Sequence, residues 1–171
     1  NIEGFVYMAM NAFYQATISF TSQNFGAKKK DRINKILFAG QVYVVATGLI
    51  LGSLAVFFGK ELLGIYSTSP EVIAAGMVRL QYICKVYFLC GIMDVFVGAL
   101  RGIGYSIMPM FVSLLGACGL RLLWLATVFQ IPQYHTQDII YLSYPITWVI
   151  TFTVHALCYI WARKQVDKKL V

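Results

Sequence analysis

Seven acidic and fourteen basic side chains occur in 171 residues, and a few of them interrupt stretches that are otherwise apolar. Those few are the first places to look for chemistry. An ionised group in the hydrocarbon of a bilayer costs several kcal/mol, so it faces protein or a water-filled cavity, and it commonly marks an ion or substrate path. Asp94 stands seven residues before Arg101, two helical turns away on the same face. At about 1.5 Å per residue it sits roughly 10 Å inside the cytoplasmic edge. It reads either as a proton- or cation-responsive carboxylate in a transport path, or as a partner for Arg101 and for donors on a neighbouring helix. Lys85 and Arg121 lie deeper, toward the outer side on adjacent helices, and Glu3 enters near the outer end of the first helix. One of these two cations is expected to pair with Glu3. For both, a structural ion pair or cavity lining stands beside a role in contacting substrate or coupling ion. Arg79, near the outer interface, is expected to snorkel.

A second constellation is uncharged. Asn11, Gln15, Ser19 and Gln23 recur every four residues and so share one face of the first helix. A polar stripe on an apolar helix faces water or bonds to other helices. Enzyme and metal signatures do not appear. Cys84, Cys90, Cys118 and Cys158 lie in apolar stretches without C-x-x-C spacing and read as small hydrophobes. His135 and His155 are too few and too far apart for a metal site. The segment RGIGYSI, Arg101 to Ile107, lacks the third glycine and the preceding strand of a dinucleotide fingerprint, and there is no P-loop or Ser-His-Asp pattern. No cofactor is expected.

The elements that must hold these residues follow from composition. The chain is 59% hydrophobic and only 12% charged, whereas an ordinary soluble domain is about 25% charged. Too little polar surface remains to face water on all sides, which excludes a water-soluble enzyme and points to lipid as the solvent. Five apolar stretches approach the length of a membrane crossing: about 2–22, 36–58, 76–100, 107–129 and 139–161. They read as helices, because a barrel would need strict alternation and the run from Gly48 to Gly59 has none. Gly48 and Gly52 form a G-x-x-x-G, a close-packing signal. The expected fold is therefore all-α, a polytopic bundle of five transmembrane helices over residues 1–171.

The net charge of +7 could suggest nucleic acid, but the basic residues gather at the ends of apolar runs, as topology signals do. With Lys28, Lys29, Lys30, Arg32 and Lys35 in the cytoplasm, ten of the fourteen basic residues fall inside, and the C-terminus is cytoplasmic. The outer loops then hold Lys60 alone. Nucleic acid is not an expected partner; the lipid bilayer is. An odd number of helices would place Asn1 outside, and the chain opens without methionine, so a longer parent is expected.

Two segments carry a family resemblance. TSQNFGAKKKDRI, Thr21 to Ile33, resembles the Q-N-x-G-A-x-x-x-x-R element after the second helix of each lobe in MATE (multidrug and toxic compound extrusion) transporters. GALRGIGYSIMPM, Gly98 to Met110, resembles that family's L-R-G-x-G-x-x-x-x-P-M element between the fourth and fifth helices of a lobe. Their order and separation also match. On this resemblance Gln23, Asn24, Gly26, Arg101, Gly102, Gly104 and Pro109 are structural motif residues. Gly26 is expected to end the first helix in a left-handed cap. Arg101 is expected to hold helix C-terminal carbonyls, and Pro109 fits early in the next helix. MATE proteins have twelve helices in two lobes, and these five would be helices 8–12, with the rest of the transporter as partner. In one branch of the family an acid in the tenth helix binds the coupling cation; that position falls here on Cys90, with Asp94 one turn nearer the cytoplasm.

The resemblance implies a bacterial inner-membrane exporter that exchanges Na⁺ or H⁺ for organic, often cationic, drug-like compounds by alternating access. Candidates for the path are Asp94, Lys85, Arg121, Asn11, Gln15 and Glu3, with Tyr43, Phe88 and Trp124 as possible cavity aromatics. A lipid-linked sugar flippase of the same superfamily is the alternative, since cationic cavities suit it, and a non-transporting membrane scaffold is another.

Overall fold

The computed structural model describes residues 2–169. Its elements are α1 (Ile2–Gly26), α2 (Lys30–Phe57), α3 (Gly59–Tyr66), α4 (Pro70–Ile83), α5 (Phe88–Gly102), α6 (Ile107–Ser113), α7 (Leu120–Ala126) and α8 (Gln137–Lys169). No strand occurs among the described residues. Three helical stretches, Lys30–Phe57, Ile107–Gln130 and Gln137–Lys168, are long and apolar enough to cross a membrane. A bent pair, Pro70–Val86 with Phe88–Gly102, makes a fourth. At 25 residues α1 is also long enough, but its polar stripe lowers its hydropathy. In lipid, each unit satisfies its backbone internally, which is why the chain is helix almost throughout.

Several features differ from the sequence reading. The third apolar stretch begins at Pro70, where Pro suits a first helical turn, and it is broken by a tight turn at Cys84–Val86 that bends the span by 44°. The fourth is interrupted by a wider, π-helical turn at Leu114–Gly119. The outer loop after α2 contains a helix of its own, α3. In addition, α8 runs past residue 161 through its charged end.

Packing centres on α5, which lies against α1, α2 and α8 and buries nine of its fifteen residues. Small residues permit this closeness, as expected where lipid removes the hydrophobic drive between helices. A Cβ on Gly102 would lie 2.5 Å from Thr21 Cβ, and one on Gly91 would lie 2.5 Å from a Val44 methyl. The G-x-x-x-G of α2 packs against the break in the third span: a Cβ on Gly48 would come within 2.9 Å of Phe88 Cα, and one on Gly52 within 2.2 Å of the Cys84 carbonyl oxygen. At the rim, large apolar side chains such as Phe57 and Ile65, each 78% exposed, suit contact with acyl chains.

Two helix ends on one side of the bundle are closed by the same device. At α1, the Lys29 amide donates to the Asn24 carbonyl at 2.9 Å and Lys28 to Phe25 at 3.0 Å. At α5, Tyr105 donates to Leu100 at 2.9 Å and Gly104 to Arg101 at 3.0 Å. Both pairs are Schellman closures, which place one residue in the left-handed region. At α5 that residue is Gly104, with φ 95°; at α1 it is Lys28, with φ 55°. The expected left-handed cap at Gly26 is thus corrected by two residues, because α1 keeps its helical bonds through Gly26 before turning.

Candidate functional site

The charged candidates separate into distinct places. At one end of the bundle, Glu3 on α1 accepts hydrogen bonds from Arg79 on α4, with Oε1 2.7 Å from both Nε and Nη2. Arg79 therefore pairs rather than simply snorkels, and Glu3 is taken by it and by neither Lys85 nor Arg121. The pair borders an open cavity of about 670 Å³ lined also by Leu63, Tyr66, Leu80 and Tyr87. Lys85 lies in the turn between α4 and α5 and is exposed.

Asp94 is placed on α5 and is half-buried. Its Oδ2 is buried and has no hydrogen-bond partner among the described residues. Arg101 does not pair with it: its Nη1 donates to the Tyr14 hydroxyl of α1, and its guanidinium lies 5.9 Å from that ring's centre. This also replaces the expected capping role of Arg101, because Tyr14 lies directly across the α1–α5 contact. Gln41 of α2 donates to the Ile92 carbonyl at 3.2 Å, leaving its own Oε1 buried and unbonded. Three buried oxygens without a partner among the described residues, Asp94 Oδ2, Gln41 Oε1 and Thr21 Oγ1, thus lie where α5 meets its neighbours. Acceptors of this kind suit a proton or a small cation.

The polar stripe of α1 faces outward from the described bundle. Asn11 is half-buried, whereas Gln15, Ser19 and Gln23 are exposed. Gln23 donates to the Ser19 hydroxyl at 3.3 Å and Asn24 to the Phe20 carbonyl at 2.9 Å.

A further polar seam joins α8 to the span from α6 to α7. The Ser113 hydroxyl and His155 Nε2 are 3.0 Å apart. His155 is fully buried, and its Nδ1 has no partner among the described residues. At the π-helical turn, a Cβ on Gly116 would lie 2.3 Å from Thr151 Oγ1. Beyond it, Arg121 Nη2 donates to Thr147 Oγ1 at 3.4 Å, and the guanidinium carbon stands 3.8 Å from the Tyr144 ring centre. Of this seam, Arg121 alone stood out as a path candidate. Ser113, Thr147 and Thr151 gave no signal, since a lone hydroxyl in an apolar run is ordinary; Gly116 and Gly119 flanked the site of the irregular turn.

The MatE family model matches residues 1–127. The chain belongs to the MatE family. Among solved structures, the fold is similar to that of a Vibrio cholerae MATE transporter, VcmN, in its bent form. The TM-score is 0.82 at 16% identity, with 97% of this chain and 38% of that chain covered. No curated protein matched the chain by sequence. The chain thus has the fold of part of a transporter and is a multi-pass membrane protein.

Within the MatE fold, the two motifs fall at comparable helix ends. Gln23, Asn24 and Gly26 close α1, and Arg101, Gly102 and Gly104 close α5. Pro109 is the third residue of α6 and is buried, where its missing amide proton costs nothing. Gly102 is needed for its close approach to Thr21 and Gly104 for its backbone angle.

Proposed function

We propose that this chain is part of a secondary active exporter that exchanges Na⁺ or H⁺ for organic, often cationic and amphipathic, compounds through alternating access. Asp94 carries the reading. A carboxylate in the membrane interior is costly, and here its Oδ2 is buried beside the α1–α5 contact and has no hydrogen-bond partner among the described residues. A group so placed gains a partner when it takes up a proton or cation and loses one when the ion leaves. Transport in which ion occupancy shifts the balance between two arrangements of the helices follows from that difference. In this reading Asn11, Gln15 and Ser19 line the water-accessible side of the path. The clusters Lys28–Lys35 and Arg163–Lys169 hold the loop after α1 and the C-terminus in the cytoplasm.

The flippase alternative is favoured by one observation, the membrane-embedded Arg121, since a lipid-linked sugar carries phosphate. Ethidium efflux from drug-sensitive cells expressing the full-length protein separates the two, with the Na⁺ and proton gradients collapsed in turn. Efflux that fails with one gradient supports coupled export and names the ion. A folded, inserted protein with no efflux under either gradient defeats the drug-export reading.

A further inference from the structure

Arg121 poses a problem of charge. It lies nine residues before Gln130, the end of its span, and its partner Thr147 lies ten residues into α8. Both counts give a depth of about 15 Å at 1.5 Å per residue, close to the middle of the bilayer. A cation at that depth needs compensation. The chain supplies seven acids, and none of them forms an ion pair with Arg121 among the described residues. Glu3 is held by Arg79, and Asp167 by Arg163. Asp31 is in the first turn of α2, while Glu61, Glu71 and Asp138 open α3, α4 and α8. Asp94 stands on α5 and forms no ion pair among the described residues. The neighbours of Arg121 are instead the Tyr144 ring and the Thr147 hydroxyl.

Thr147 is the one hydrogen-bond partner of the Arg121 guanidinium among the described residues. Nε is buried with no acceptor among the described residues, and Nη2 reaches Thr147 only at 3.4 Å. Those two N–H groups form the side-on fork with which a guanidinium grips a carboxylate, sulfonate or phosphate. The plane of the fork is set by Tyr144, itself packed edge-to-face on Trp148 at 5.7 Å, with Tyr87 a further 5.3 Å from Trp148. An aromatic wall thus adjoins a preoriented cation whose fork is unfilled. The Nε edge is buried in this conformation, and no ion pair among the described residues holds the half-buried Arg121 side chain.

We propose that Arg121, backed by Tyr144 and Thr147, is a binding subsite for the anionic group of an amphipathic aromatic substrate, alone or beside a cationic centre in a zwitterion. This rests on the transporter reading and narrows its substrate class.

The test uses the purified full-length protein in lipid nanodiscs and two probes of one shape, naphthalene-2-sulfonate and its neutral sulfonamide, with affinity read by equilibrium dialysis. The sulfonate should bind about tenfold tighter than the sulfonamide, Arg121→Gln should erase the difference, and Arg121→Lys, a point charge without the fork, should keep only part of it. Equal binding of both probes by the wild-type protein overturns the proposal. That is the result expected if a carboxylate elsewhere in the full-length chain neutralises Arg121, and Arg121→Gln would then also lower the melting temperature. Retained discrimination in a folded Arg121→Gln variant overturns it as well. Should that variant fail to fold, Arg121→Lys decides: undiminished preference for the sulfonate goes against the fork. Gradient-driven ethidium efflux is measured separately, so an anion preference without efflux sinks the antiport reading and leaves the subsite standing, while efflux without anion preference does the reverse.

Discussion

The bundle has two halves that solve the same problem differently. Around α5, helices α1 and α2 approach through glycines and bury mainly apolar side chains such as Met10, Val44 and Val95, with the buried threonines Thr17 and Thr21 packed against glycines by their methyl-bearing carbons. Between α8 and the α6–α7 span the contact is polar, with Ser113 on His155, Gly116 against Thr151 and Arg121 on Thr147. In water both seams would be driven by burial. In lipid, apolar surface gains nothing by leaving acyl chains, so helices are held by close contact or by hydrogen bonds. The α5 half uses the first and the α8 half the second. A close-packed seam tolerates little movement, whereas a seam of a few hydrogen bonds beside an irregular turn has alternatives within reach. The polar half is therefore the half expected to rearrange.

Substitutions can sharpen that contrast. The largest effect is expected at Gly52, where a new Cβ would meet backbone at 2.2 Å. Gly52→Val should abolish monodisperse protein in size-exclusion chromatography; a normal elution profile would show that α2 does not need this approach. Next comes Asp94→Asn, which should lower gradient-driven efflux by at least about tenfold while leaving the melting temperature near wild type, since an intramembrane carboxylate is kept for its charge. Unchanged efflux would remove Asp94 from the mechanism. In the polar half, the three atoms nearest a Cβ on Gly116 all belong to the Thr151 side chain. Gly116→Ala should cost about 1–3 kcal/mol through overpacking. Combining it with Thr151→Ala should restore most of the loss in a thermal-shift assay, a rescue that no side-chain change can give at Gly52. His155→Ala should lose about 1–3 kcal/mol with its hydrogen bond and its burial. The smallest effect is expected at Lys28, where a left-handed side chain costs roughly 1–2 kcal/mol. Lys28→Gly should raise the melting temperature slightly.

How far the sequence reached differs between the halves in the same way. The membrane-crossing helices, the close packing at Gly48 and Gly52, and the family motifs were readable, because hydropathy, glycine spacing and charge at helix ends are local signals. The break at Cys84–Val86 was not. The segment Cys84–Tyr87 has neither proline nor glycine, and the turn is fitted to α2, whose glycines are more than thirty residues earlier in the chain. Likewise Glu3 and Arg79 are separated by 76 residues, and nothing local distinguished Arg79 from Lys85 or Arg121 as its partner. Asp94 was legible as a charge in an apolar run. That Arg101 turns to Tyr14 instead was not, because side-chain direction is settled by the neighbouring helix and not by spacing along its own.

The contact between Gly52 and the Cys84 carbonyl has a consequence for biogenesis. The span from Pro70 to Gly102 carries Arg79, Lys85 and Asp94 and is bent at its centre. It is a poor candidate to enter the bilayer alone, for its charges and its loosened backbone both disfavour hydrocarbon. Its surroundings, however, are already made when it emerges from the ribosome. By then α2 is synthesised, with its flat glycine face ready to shield the exposed carbonyl, and α1 offers Glu3 to Arg79 and Tyr14 to Arg101. The order of helices along the chain thus suits an order of assembly, in which the readily inserted α2 precedes the less insertable span and serves as the template on which it is received.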